Sequence, residues 1–216
     1  MLQYSELAPV IAVCGIDGSG KTSLVECLRR DDRLTGAAFV KKEQKEDFQR
    51  LLRLSPPTEA VPEAYFRGYF AEAARWAHAL DFLRFYENVV APIGKTCPVI
   101  VSDRWTFCTI TFAEIGTNLA LQIEWLLRNV PLPALTVYLD IDPEIALQRL
   151  LSRGALAHDE DLELLRAYRD AYRKYFATYK GPLLSLSPAP VEMIYSQVVK
   201  ELALRKLLNP ARVSAS

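Results

Sequence analysis

One stretch, residues 10–22 with the text VIAVCGIDGSGKT, constrains this chain more than any other. Five apolar residues read as a strand buried on both faces. They run into Gly15, and from there the text matches G-x-x-x-x-G-K-[ST] at Gly15, Gly20, Lys21 and Thr22, with a further Gly18 inside. Leu24, Val25 and Leu28 follow at helical spacing. Glycines reach backbone angles closed to other residues and leave no side chain between amide and phosphate. Successive N–H groups at a helix N-terminus then cradle an anion, and the helix dipole adds to the attraction. Residues Gly15, Asp17, Gly18, Ser19, Gly20, Lys21, Thr22 and Ser23 are therefore expected to hold the phosphates of ATP. Lys21 would reach the β- and γ-phosphates, and the Thr22 hydroxyl would ligate Mg²⁺.

Strand-like runs recur at 10–14, near 37–40, and at 98–102, 135–140 and 183–186, with helical patterns between them. The alternation predicts an α/β fold: a five-stranded parallel sheet of the P-loop NTPase kind, helices on both faces, the ligand crevice at the carboxyl ends of the strands. At 216 residues the chain suits one domain. It is divided into a single kinase-like domain over 1–210, including a lid segment at about 149–162, and a flexible tail at 211–216. The run KKEQKED reads as a solvated helix start.

The formal net charge is zero, so the broad electrostatic footprint of a general nucleic-acid binder is missing. Cys14, Cys27, Cys97 and Cys108 are scattered and read as reduced thiols of a cytoplasmic protein. The first apolar run is too short for a membrane span, and no membrane partner is expected.

Two further motifs carry chemistry. In VIVSDRW a strand delivers Asp103 and Arg104 to the crevice mouth, where a metal and a phosphate would meet. In LDIDPEIALQRLLSRG, Asp142 and Pro143 read as the N-cap and first residue of a helix, and Gly154 as its stop. Arg149 and Arg153, four apart, are expected on one helix face. They suit a flap that closes on phosphate, because arginine keeps its charge and offers a planar fork of donors.

GIDGSGKT, SDRW and LDIDPEIALQRLLSRG, in this order, resemble the thymidylate kinase family of nucleoside monophosphate kinases over roughly residues 10–186. The resemblance implies transfer of the ATP γ-phosphoryl group, with Mg²⁺, to a (deoxy)nucleoside 5′-monophosphate. It implies Lys21, Asp17, Asp103, Arg149 and Arg153 as the catalytic set, and Thr22 with Asp103 at the metal. Asp17 and Arg104 would lie against the acceptor, and spacing back from the Asp-Arg pair nominates Arg84 as a second grip on its phosphate. Family members are commonly dimers packed through helices, so a homodimer is implied.

The base-reading half of the family pattern is altered. Leu80 stands where an aromatic residue often stacks on the base, TFCTITFAEIG where a polar reader often follows the Asp-Arg pair, and FVKKEQ where an arginine-proline or proline-glutamate-arginine signature follows the second strand. The long stretch EAYFRGYFAEAARWAHALDFLRFYENVV should be mostly core, with Phe66, Phe70 or Phe82 flanking a base, and Trp105 as another candidate. His78 reads as a packing or surface residue rather than a base. Three readings stay open at this point: a nucleoside monophosphate kinase, a P-loop kinase for an unphosphorylated nucleoside or other small hydroxyl compound, and a non-catalytic nucleotide binder.

Overall fold

The computed structural model describes residues 7–42, 46–54, 68–154 and 161–209. Phe66, residues 155–160 of the expected lid and the expected tail at 211–216 lie outside them. Five strands form one parallel sheet: β1 (Val10–Cys14), β2 (Ala38–Lys41), β3 (Ile100–Asp103), β4 (Leu135–Leu139) and β5 (Leu183–Leu186). Their spatial order is β2-β3-β1-β4-β5, so β1 lies at the centre, and every pairing is parallel. The eight principal helices described are α1 (Lys21–Arg29), α2 (Glu46–Leu54), α3 (Gly68–Phe85), α4 (Thr106–Glu114), α5 (Ala120–Leu127), α6 (Pro143–Leu151), α7 (Leu162–Thr178) and α8 (Val191–Leu204).

Alternation along β1 divides the core. Val10, Ala12 and Cys14 face one cluster, which takes Phe82 and Phe85 from α3, Phe107 and Ile110 from α4, Ile123 from α5 and Tyr172 from α7. Ile11 and Val13 face the other, where Leu24 and Leu28 of α1 meet Val198 and Leu202 of α8. Both faces of the sheet are thus covered, as a parallel sheet requires. Leu24 and Leu28 are fully buried, and truncating either to alanine costs about 2–5 kcal/mol.

The strands and α1 fall where the sequence predicts them, and Asp142 caps α6 by accepting the Glu144 N–H at 3.1 Å ahead of Pro143. Two expectations are corrected. Lys41 is the last residue of β2 and α2 is described from Glu46, so the run KKEQKED starts in a strand rather than a helix, and its Glu46 and Asp47 stand in the first turn of α2. The α2 N-terminus is capped from another helix: Asp81 of α3 accepts the N–H groups of Asp47 at 2.9 Å and Phe48 at 3.3 Å. Helix α6 ends at Leu151, so Arg153 lies in the turn beyond it rather than on a shared helix face with Arg149. At its C-terminal end α3 passes into a π-helical turn, Tyr86–Val90, and a last turn, Ala91–Ile93, that contains Pro92.

Candidate active site

The carboxyl ends of β1, β3 and β2 lie side by side and set three groups at the sheet's edge: the glycine loop, the Asp103-Arg104 pair and the lysines Lys41 and Lys42. Gly20, with φ 95°, is the N-cap of α1, and Lys21 is its first residue. Gly15 and Gly18 are required by space as well as by angle. A Cβ on Gly15, at φ +145°, would stand 2.7 Å from the Leu139 carbonyl oxygen, and one on Gly18, at φ +79°, 2.5 Å from that of Ala146. The loop is therefore seated directly on the end of β4 and on α6.

Lys21 is buried and turned back over the loop, its Nζ donating to the carbonyls of Gly15 at 3.0 Å and Ile16 at 2.8 Å and to Asp17 Oδ1 at 3.3 Å. Burial, with Arg104 nearby, lowers its pKa despite the opposing carboxylates. Asp17 Oδ1 also accepts from Arg104 Nη2, so one carboxylate joins the loop lysine to the cleft arginine. Burial alone would raise the Asp17 pKa, but Arg104 and Lys21 outweigh it and hold the carboxyl far below the usual carboxylate range. Arg104 carries the reciprocal upward shift: burial works against its charge and Asp17 restores it.

Arg104 holds φ at 77°, a left-handed backbone uncommon for a residue other than glycine. Strain of this kind, of order 1–3 kcal/mol, persists where surroundings over-determine it. Here the Arg104 N–H donates to the Val13 carbonyl at 2.9 Å and its own carbonyl accepts the Ser102 hydroxyl at 2.8 Å. The bend turns the guanidinium out of the sheet and onto Asp17.

Two hollows meet along Asp17 and Arg104. The larger, about 190 Å³, is lined by Gly15, Ile16, Asp17, Lys42, His78, Phe82, Arg104, Trp105, Cys108, Thr109, Phe112, Tyr168 and Tyr172. The smaller, about 130 Å³, lies on the glycine-loop side among Asp17, Gly18, Gly20, Lys21, Thr22, Lys41, Asp103, Arg104 and Arg153. Arg149 reaches the loop itself, Nη1 donating to the Gly18 carbonyl at 3.4 Å. The structure thus brings together Asp17, Gly18, Gly20, Lys21, Thr22, Asp103, Arg104, Arg149 and Arg153. Ser19 is buried within the loop and Ser23 is exposed on α1.

Asp103 is buried, and its Oδ1 has no hydrogen-bond partner among the described residues. An orphaned carboxylate oxygen in the cavity that Thr22 also lines fits a magnesium site. No trio of His, Cys, Asp or Glu clusters as a metal cage among the described residues.

Helix α3 meets the cleft in a register different from the expected one. His78 and Phe82 line it, whereas Leu80 and Arg84 do not. At 3.6 residues per turn, positions 82 and 84 lie about 160° apart around the axis. Leu80 is exposed, and Arg84 pairs with Glu46 at 3.4 Å and Asp47 at 3.2 Å on α2. The ring of His78 sits between Phe48 and Phe112, at centroid distances of 4.6 and 4.7 Å. Phe70 is half-buried and is not part of the cleft lining. Trp105 is a buried wall, edge-on to Phe82 at 5.7 Å, with its indole N–H donated to the Pro131 carbonyl at 3.1 Å.

Sequence reasoning did not nominate Lys42, Cys108, Thr109, Phe112, Tyr168 or Tyr172. For all but Lys42 the signal was helical spacing: Cys108, Thr109 and Phe112 recur on one face after Arg104, and Tyr168 and Tyr172 are four apart.

A parallel sheet whose central strand ends in a glycine-rich loop, with an Asp-Arg pair at the end of the neighbouring strand, Arg149 on the flanking helix and Arg153 in the turn beyond it, defines a P-loop phosphotransferase. Comparison with known proteins narrows the class. A model of the thymidylate kinase family matches residues 13–198. The chain is 30% identical over 168 residues to a probable thymidylate kinase of Archaeoglobus fulgidus, an alignment spanning 76% of this chain and 80% of that one. It is 24% identical over 191 residues to a probable thymidylate kinase of Pyrobaculum aerophilum, covering 85% and 91%. A solved thymidylate kinase from Candida albicans shares the fold, with a TM-score of 0.66 over 93% of each chain at 15% identity. This chain belongs to the thymidylate kinase family, the ATP-dependent nucleoside monophosphate kinases. Among the described residues no helix is long and apolar enough to cross a membrane.

Proposed function

We propose that the glycine loop holds the ATP phosphates and that the larger cleft holds a nucleoside 5′-monophosphate, thymidylate being the first acceptor to test. The observation that carries this reading is the state of Asp17. A hydroxyl acceptor gains from a carboxylate able to take its proton. Asp17 is committed to Arg104 and Lys21 and is held as a very weak base. Arg104 meanwhile turns a guanidinium into the cleft, the arrangement an anionic acceptor needs. Such an acceptor is already nucleophilic near neutral pH.

Attack by an acceptor phosphate oxygen on the γ-phosphorus forms the new P–O bond as the bond to the β-phosphate oxygen breaks, leaving ADP. The transition state is loose and spreads charge over the transferring oxygens, so positioning and positive charge supply most of the acceleration. Lys21 would swing from the loop carbonyls onto the β- and γ-phosphates, and Arg149 and Arg153 would meet the charge in transit. Thr22 and Asp103 would hold Mg²⁺, which would supply positive charge against the phosphates. Phe82, Phe112, Tyr168 and Trp105 offer apolar area to a base. Trp76 and Leu80 on α3, and Leu121 and Trp125 on α5, are exposed apolar side chains on helices that pack together. They support a homodimer.

The test is ADP release across the ribo- and deoxyribonucleoside monophosphates, with the parent nucleosides alongside. Turnover confined to monophosphates is expected. Turnover of nucleosides alone would overturn the reading.

A further inference from the structure

Trp105 lines two hollows. One is the larger cleft; the other, about 160 Å³, reaches toward the starts of β1 and β3, where Val10 and Ile100 stand in register. The π-helical turn supplies Tyr86 and Val90 to it, and the segment ahead of β4 supplies Leu132 and Ala134. Leu132 is exposed, so the hollow has a mouth to solvent. No described residue other than Trp105 is common to the two linings. It is a separate space with one shared wall.

Its chemistry is unlike that of the cleft. None of the described residues lining it carries a charge, and its polar side-chain groups are the Tyr86 hydroxyl and the Trp105 indole N–H, the latter already donated to the Pro131 carbonyl at 3.1 Å. Backbone groups around it are spent as well: the Ala8 N–H donates to the Gly94 carbonyl at 2.8 Å and the Ile100 N–H to that of Pro9 at 2.9 Å. A water in such a space finds few of the two to four partners it needs, and apolar cavities of about 150 Å³ stay dry and bind benzene. Trp105 and Tyr86 stand at 82° to each other in its wall, with centroids 6.1 Å apart, and an aromatic guest gains from stacking or edge contact with such rings beyond the area it buries. We infer that this hollow is a binding site for a small uncharged aromatic molecule, and that its occupancy is felt in the acceptor cleft through Trp105. The indole stands edge-on to Phe82 of the cleft at 5.7 Å as well as to Tyr86, and it follows Arg104 in the chain. A guest packed against it restricts a wall that the acceptor also meets, which leaves less to be ordered when the acceptor binds. The coupling is therefore positive, and it is reciprocal. Only the coupling rests on the monophosphate reading above; the site does not.

The test pairs phenol with benzoate, rings of one size that differ in charge at neutral pH, in calorimetric titrations of the full chain. Phenol is expected to bind saturably, and benzoate at least tenfold more weakly. Ala134→Leu, which fills the hollow, should weaken phenol at least tenfold with Tm kept or raised. The smaller filling Ala134→Val, expected to weaken phenol at least threefold, decides the matter where Ala134→Leu does not fold. Thr109→Leu fills the cleft instead and should leave phenol within twofold of wild type. Thymidine 5′-monophosphate should tighten phenol two- to fivefold, and phenol should tighten the nucleotide by the same factor. Absence of saturable phenol binding overturns the site. So does a preference for benzoate, or phenol lost in Thr109→Leu and kept in the Ala134 variants, since either puts the ring in the cleft beside Arg104. Phenol bound in the hollow with the nucleotide's affinity unmoved overturns the coupling. A protein that binds phenol there but no nucleoside monophosphate refutes the monophosphate reading, and the coupling with it, and leaves the site standing.

Discussion

The register of α3 makes a prediction that separates the structure from inference by spacing. Spacing nominates Arg84 as a grip on the acceptor phosphate, whereas the structure puts it against Glu46 and Asp47, with its side chain 42% exposed. Exposed ion pairs are worth about 0–1 kcal/mol, so Arg84→Ala should lower stability by no more than about 1 kcal/mol. For a chain of this size that is a shift of about 2–4 °C in Tm. Its effect on the acceptor KM should be under twofold. Arg104→Met removes a guanidinium that faces the cleft and pairs with Asp17. Hydrogen bonds to charged groups contribute about 1.5–3 kcal/mol, which corresponds to a loss of roughly 10- to 150-fold in kcat/KM for the acceptor. Steady-state kinetics at saturating ATP, with Tm measured on the same preparations, distinguish the two variants. A tenfold rise in acceptor KM for Arg84→Ala, with Tm preserved, would show that the helix presents its other face to the substrate and would refute the register argument.

Gly18→Ala should abolish ATP binding by titration and lower Tm, because the added methyl meets the Ala146 backbone at 2.5 Å and a positive φ disfavours any side chain. Asp103→Asn should raise the Mg²⁺ concentration needed for half-maximal turnover and lower kcat by about 10²-fold or more, with acceptor binding intact; an unchanged Mg²⁺ titration would remove Asp103 from the metal site. Asp17 titrates below its unfolded value, so its contribution to stability is fully present above the ordinary carboxylate range. It is withdrawn progressively as pH falls from the ordinary carboxylate range toward the lowered folded value, below which it is gone. Urea unfolding at stepped acid pH should therefore show a shallower acid loss in Asp17→Asn than in wild type, and parallel curves would contradict the ion-pair assignment.

What the sequence made legible was chemistry that is local in the chain. The cradle, the Asp-Arg strand end and the Asp142-Pro143 helix start each depend on neighbours within a few residues, so residue type and spacing suffice to place them. The face of α3 is different. Counting back from Arg104 to this helix crosses the π-helical turn Tyr86–Val90, where each turn holds more residues than in the α-helix, so separation in sequence does not fix which side faces the cleft. Packing fixes it instead: Phe82 is buried against Phe85 and Trp105, and Asp81 is spent on the N-terminus of α2. Lys42 was obscured for a related reason. Its place in the cleft lining depends on where β2 ends, and a run of charged residues leaves no apolar pattern to mark that point.

The same contrast explains why Asp17 matters more than its place in a glycine loop implies. A carboxylate within a phosphate cradle repels the ligand that the cradle is built for, and the backbone amides alone would not excuse it. Its position is sustained by Lys21 on one side and Arg104 on the other, the second drawn over by a left-handed bend that Val13 and Ser102 hold. On the proposed reading Lys21 serves the donor, while Arg104, which lines both hollows, serves the acceptor. Binding of a triphosphate that draws Lys21 away leaves Asp17 more dependent on Arg104, and an anion arriving at Arg104 competes for that same guanidinium. If so, the two halves of the cleft would be coupled through one carboxylate, and Asp17→Asn should change the affinity for each nucleotide in the presence of the other more than the affinity for either alone. Titration of each nucleotide with and without its partner measures that coupling, and an unchanged coupling in the variant would assign Asp17 to anchoring the loop alone.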